Sequence, residues 1–262
     1  MSASPAAVIA SAPEDLRFRY ALHLGDTSLI LAQRLGEWVG HAPALEEDLA
    51  LANTALDLLG QARHLLSYAG EIEGKGRSED DLAFLRDPLD FLNLTLVEQP
   101  NVDFGHTIVR QFLVDAWRLE LFERLQASSE PRLAEIAAKA LKETRYHYRF
   151  SAGWIVRLGD GTEESHNRVQ TGLDALWRFT GEMFAPGAVD EEAAAAGLGP
   201  DPASLRAAWT ANVDQVLNEA TLKKPADITY RWHGKRQQHT EHLSHLLAEM
   251  QFMQRTYPGA QW

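Results

Sequence analysis

Apolar residues recur at helical spacing along almost the whole chain, and strand-like alternation is scarce. The pattern predicts long helices over about 14–40, 45–70, 102–127 and 131–158. Each spans about 25 residues, against an average of about 11–12 for globular proteins. Helices of that length can lie side by side over their full extent, which predicts an antiparallel helical bundle. The 262 residues suffice for one large domain.

The punctuation agrees with this reading. The second helix begins after Pro43 with Glu46, Glu47 and Asp48 in its first turn. Asp87-Pro88 is expected to open a short helix that ends near Gln99-Pro100. A fifth helix follows Gly161, with Thr162 as its N-cap. Residues 185–202 read as a linker with one short helix, Asp201-Pro202 starts a further helix, and a last one covers about 239–255. The expected organisation is a disordered tail over 1–13 and one domain over 14–262. That domain has a core bundle to about 184 and a helical extension over about 185–262.

A net charge of −12 opposes binding to nucleic acid or to an anionic membrane, and no apolar run approaches a membrane span. With no cysteine, thiol catalysis, disulfides and iron–sulfur clusters are excluded, which fits a cytoplasmic location. Seven tryptophans exceed what one bundle core needs, so an exposed apolar face is expected, with Trp262 the easiest to place in a neighbour.

Long bundles of this kind can hold two irons. That site takes a Glu from each of two helices and a Glu-x-x-His pair from each of the other two. Residues three apart share a helix face, so a carboxylate and an imidazole reach the same metal pair. The first helix offers Glu37, on a face with His23, Asp26 and Gln33. The second has Asp57, Gln61, His64 and Tyr68 on one face, but Gln61 or Leu58 stands where a ligand is required. In the third, Asp115 interrupts a stripe of Phe112, Leu119 and Phe122, and a buried acid needs a partner. In the fourth, Glu143 and His147 are four apart, while Thr144-x-x-His147 has the right spacing and only a hydroxyl. Neither Glu-x-x-His pair is intact, so the expectation is a degenerate di-iron face converted to a hydrogen-bonded network.

Five stretches resemble a known family: LGDTSLILAQRLGEWVGHAP (24–43), LALANTALDLLGQARHLLSYA (49–69), LVEQPNVDF (96–104), AKALKETRYHYRFSAGW (138–154) and HTEHLSHLLAEMQFMQR (239–255). They are similar to the C components of the multicomponent phenylacetyl-CoA epoxidases (ring 1,2-phenylacetyl-CoA oxygenases) of bacterial phenylacetate catabolism. The resemblance implies an all-α, ferritin-like fold. It implies a structural, non-catalytic partner of the catalytic A component, which holds the di-iron centre and the substrate. Small accessory subunits and a reductase complete the assembly, which places one oxygen atom of dioxygen across the aromatic ring. On that reading this chain carries no catalytic residue and no cofactor. Glu37, Asp115, Glu143 and His147 are then remnants, and Leu58, Gln61 and Thr144 mark vacated positions. The alternatives are an active di-iron oxidase with a variant ligand set, and an unrelated helical scaffold or storage protein.

Two further features call for a reading. His239, His242, His245 and Glu249 flank the apolar stripe of the last helix and are expected at a solvated or partner-facing edge. The loop KKPADITYRWHGKRQQ (223–238) gathers Lys223, Lys224, Arg231, Lys235 and Arg236 in an acidic protein. It is a candidate for docking onto an acidic surface of a partner, or for contact with coenzyme A phosphates.

Overall fold

The computed structural model describes residues 15–228 and 233–260. Among these, regular structure is helical and no strand forms. The sequence-predicted long helices are α1 (Leu16–Glu37), α2 (Leu45–Glu73), α4 (Phe104–Leu125) and α5 (Pro131–Gly159), and a short α3 (Glu79–Phe84) lies in the connection from α2 to α4. Their ends follow local chemistry. Asp15 caps α1 through the Arg17 amide and Asp103 caps α4 through the His106 amide. Pro131 opens α5, and Gly74 closes α2 at φ 67°, a left-handed conformation that favours glycine.

Short turns make α1/α2 and α4/α5 antiparallel pairs. Between the pairs, α2 meets α5 in antiparallel register. Asp57 reaches His147, Gln61 reaches Glu143, and His64 reaches Lys139. With a long crossover from α2 to α4, this is the ferritin-like bundle expected. Ile30, Leu58, Leu65, Phe112, Leu113 and Leu133 are fully buried between the helices.

The crossover departs from expectation. Instead of one short helix, it contains two 3-10 turns, Pro88–Asp90 and Thr95–Glu98, separated by extended backbone. The bundle takes up the peptide groups that a helix would have satisfied. Asp26 accepts from the Leu92 amide at 2.9 Å, His23 bonds the Leu92 carbonyl at 2.8 Å, and Thr27 accepts from the Leu94 amide at 3.3 Å. Arg86 forms a buried ion pair with Asp26.

After α5 come α6 (Glu163–Leu176), capped by Thr162 as expected, and a 3-10 segment Trp177–Phe184. Then follow α7 (Ala188–Ala195), α8 (Pro202–Glu219), α9 (Glu241–Met250) and α10 (Phe252–Thr256). Helix α8 packs on α4 and α5. The Trp209 indole donates to the Leu113 carbonyl at 3.1 Å, within an aromatic cluster with Trp177 and Phe184. Trp117, Trp177 and Trp209 are buried and Trp38 and Trp154 half-buried, so no described tryptophan forms an exposed face. Trp232 and Trp262, like the 1–13 tail, lie outside the described residues.

Candidate functional site

At mid-bundle the four long helices contribute one polar group each, centred on a residue that the motif search passes over. Arg118 on α4 is 1% exposed. Its guanidinium donates to Ser28 Oγ on α1 at 3.0 Å and to Gln61 Oε1 on α2. The Gln61 amide nitrogen in turn donates to Glu143 Oε2 on α5 at 2.6 Å. The guanidinium also lies over the Phe122 ring, 4.8 Å from its centroid. Burial pulls the Arg118 pKa down to about 10, against the opposing pull of Asp115 and Glu143, so the group is charged at neutral pH.

The neighbouring positions complete the layer. Asp115, fully buried one turn before Arg118, accepts from Gln111 Nε2 at 2.7 Å and from Ser151 Oγ at 2.8 Å. Burial pushes its carboxyl up to about 7, despite the hydrogen bonds and the nearby guanidinium. His147 Nε2 is 2.9 Å from the Asp57 carboxylate. A carboxylate only accepts, so Nε2 carries the proton and Nδ1 keeps its lone pair, without a partner among the described residues. Burial holds the His147 pKa below its ordinary value, which favours the neutral ring. Leu58 and Thr144 are both fully buried, and the Thr144 hydroxyl also has no partner among the described residues.

The structure thus joins Gln61 to Glu143 and sets Asp115, Leu58, Thr144 and His147 on the facing sides of α2, α4 and α5. Glu37 is not brought to them. It lies at the end of α1, roughly 13 Å along the axis from Ser28, and pairs with Arg34 at 2.8 Å. Ser28, not Glu37, is the α1 residue at this level. The missed residue left a faint signal: Asp115-x-x-Arg118 is itself a three-residue spacing on one helix face.

This layer does not fit a di-iron centre. Two ferrous ions need an excess of anionic donors, whereas a permanent cation already takes up the Gln61–Glu143 edge. Asp115 titrates near neutrality, and the Leu58 and Thr144 positions offer a hydrocarbon and a hydroxyl. Among the described residues, no three of His, Cys, Asp and Glu are grouped to hold a metal ion.

The sequence profile of the phenylacetic acid catabolic protein family matches residues 1–262. The chain belongs to that family. Over 243 residues it is 56% identical to the C component of the 1,2-phenylacetyl-CoA epoxidase of Escherichia coli (strain K12), covering 93% of this chain and 98% of that protein. The resemblance in the five stretches is therefore real homology over nearly the full length.

In this member of the phenylacetic acid catabolic protein family, the basic loop divides. Lys224 is an exposed cation paired with Asp214 at 2.7 Å. Lys223 is fixed through its backbone, bonded on both sides by the Gln170 carboxamide. Arg236 is exposed. Arg231 lies outside the described residues. Lys235 turns inward to Asp190 at 2.6 Å and to the Ala185 carbonyl at 2.8 Å, with its side chain 8% exposed. It is a structural ion pair and not a docking cation, because two buried acceptors hold its ammonium.

The histidines divide likewise. His245 and Glu249 are exposed and His242 half-buried, but the side chain of His239 is buried and bonded to Glu98 and to the Phe91 carbonyl. A cavity of about 950 Å³ opens between the start of α1 and α7. Its charged lining is largely paired internally, Glu73 with Lys75 and Arg77, Arg86 with Asp26, and Lys235 with Asp190. Among the described residues no helix is long and apolar enough to cross a membrane.

Proposed function

We propose that this chain is the structural component of a multicomponent phenylacetyl-CoA ring epoxidase. In this reading it binds and stabilises the di-iron catalytic component in cytoplasmic phenylacetate catabolism, alongside the small subunits and reductase of the same assembly. It carries no metal and no activity of its own. The observation that supports this is Arg118. In a fold whose catalytic members place metal cations between these helices, a side-chain cation here joins α1, α2 and α4, and through Gln61 also α5. A guanidinium holds the helices together without redox chemistry. The family's description supports the pathway, and the relative's name, one lettered subunit of an epoxidase, supports the multi-subunit setting.

The test is iron per chain, by elemental analysis after aerobic reconstitution with ferrous iron and removal of the excess. Essentially none is expected. About two irons per chain, as in an intact di-iron bundle, would overturn the proposal in favour of an active oxidase with a variant ligand set.

A further inference from the structure

The outward strips of α2 and α5 are unlike the rest of this acidic protein. On α5, Arg132, Lys139, Lys142, Arg145, Arg149 and Arg157 are all exposed, against one exposed acid, Glu135. Their three- and four-residue spacing puts them along one side of a 29-residue helix. Arg145 reaches Glu123 at 3.5 Å and Lys139 reaches His64 at 3.1 Å, while Arg149 lies over the Tyr146 ring, 5.9 Å from its centroid. Neither Lys142 nor Arg149 has an acidic partner within ion-pair distance among the described residues.

The neighbouring strip of α2 is apolar. Leu45, Leu49 and Leu56 are 69%, 54% and 64% exposed, and Tyr146 of α5 adds a half-exposed ring. The Asp57–His147 and Gln61–Glu143 contacts place the two strips beside each other. Two half-buried glycines within the helices, Gly60 on α2 and Gly153 on α5, have nothing within 4 Å of where a Cβ would be. The chain's own packing gives no reason for glycine there, although glycine weakens a helix interior. Close approach by another backbone gives one.

We propose that this α2/α5 face is the docking surface for a non-identical subunit that presents an apolar ridge flanked by carboxylates. The proposal rests on the reading of this chain as one component of an epoxidase assembly. A second copy is the wrong occupant. Two-fold self-pairing sets cationic strip on cationic strip or on leucines, and neither strip carries an acidic row to meet the lysines and arginines. Nucleic acid suits the cations but not the leucine strip, and the net charge of −12 opposes it.

The experiment co-expresses the tagged full chain with the other epoxidase subunits of the same source and measures association by sizing and titration. Leu56→Asp combined with Arg149→Glu is expected to weaken association at least ~30-fold, as loss of central contacts does. Gly60→Ala with Gly153→Ala is expected to raise the melting temperature of the isolated chain and still weaken association, which separates docking from folding. Arg168→Glu on α6, outside both strips, serves as the control and binds as wild type. Wild-type affinity in both face variants overturns the proposal while the assembly reading stands. A wild-type chain that joins no other subunit overturns both. A homodimer abolished by the face variants, or nucleic acid released by them, assigns the face to another occupant and overturns it as well.

Discussion

The Gln61 carboxamide on α2 donates to the Glu143 carboxylate on α5 across 2.6 Å, and its oxygen accepts from the buried Arg118 guanidinium on α4. One amide thus passes the effect of a single cation across three helices. Arg118→Ala removes that cation. It leaves Ser28 and Gln61 without their donor and opens a gap beside the Phe122 ring. The expected loss in denaturant unfolding is about 2–4 kcal/mol, from buried polar groups left unpaired and lost packing. Arg118→Met keeps most of the volume and is expected to cost less. An Ala variant within about 0.5 kcal/mol of wild type, the range of ordinary surface changes, would remove Arg118 from its central role.

Asp115 sets a pH dependence of known sign. Burial raises its folded pKa from 3.8 to about 7, so the folded state binds the proton more tightly than the unfolded chain does. The stability it contributes is complete below about pH 4 and is lost as the pH rises through about 7. Asp115→Asn removes this slope. Its amide can donate to Gln111 Oε1, which has no partner among the described residues. The variant is expected to gain on wild type between about pH 4 and 7, by on the order of 2–4 kcal/mol, and to hold that gain above. Melting curves of both proteins across this range decide it, and parallel curves would show that Asp115 is not titrating.

The long helices are legible in sequence because the apolar period repeats over six or more turns, and start signals such as the Thr162 cap and Pro131 at the first position of α5 need only local residues. What is not legible depends on distant partners. The 88–99 segment has helical-looking residues, yet His23, Asp26 and Thr27, more than sixty positions earlier, take up its peptide groups. Lys235 and His239 look like surface cations until Asp190 and Glu98 are placed beside them. A search by ligand spacing picks out Leu58, Gln61 and Thr144, which lie buried on the facing sides of α2 and α5. The same search looks only for carboxylates and imidazoles, and so passes over the arginine at the centre.

Two α5 glycines six positions apart should respond oppositely to alanine. A Cβ on Gly159 would collide with the Ala220 carbonyl oxygen and lie 2.8 Å from the Ala220 side chain, at the end of α8. Gly159→Ala is therefore expected to destabilise by roughly 1–3 kcal/mol, as overpacking does. Gly153 meets nothing within 4 Å, and Gly153→Ala should stabilise the isolated chain by up to ~1 kcal/mol through helix propensity. Thermal melts of the single variants read both signs, and a stable Gly159→Ala protein would mean that α8 does not press on α5 there.

Glu98 and His239 join the crossover to α9. The Glu98 side chain is fully buried and accepts from Asn93 at 2.9 Å, from the Thr240 amide at 2.9 Å and from the Thr240 hydroxyl at 2.7 Å, besides pairing with His239. Burial works against charge on His239, but the Glu98 hydrogen bond and charge outweigh it and raise the pKa above 6.5. A raised histidine contributes stability that is complete below about pH 6.5 and is lost as pH rises through its folded value. His239→Ala leaves a buried carboxylate without its cation, for an expected loss of about 3–5 kcal/mol at acidic to neutral pH. His239→Gln keeps a hydrogen-bond donor without titrating, so the decline in stability above about pH 6.5 should flatten. Because Glu98 belongs to the crossover and His239 to the segment leading into α9, amide exchange of Leu243, Leu246 and Leu247 should accelerate in the alanine variant before that of α1 or α4. Uniform acceleration across all helices would mean that the pair stabilises the bundle as a whole and is not the specific tie of α9.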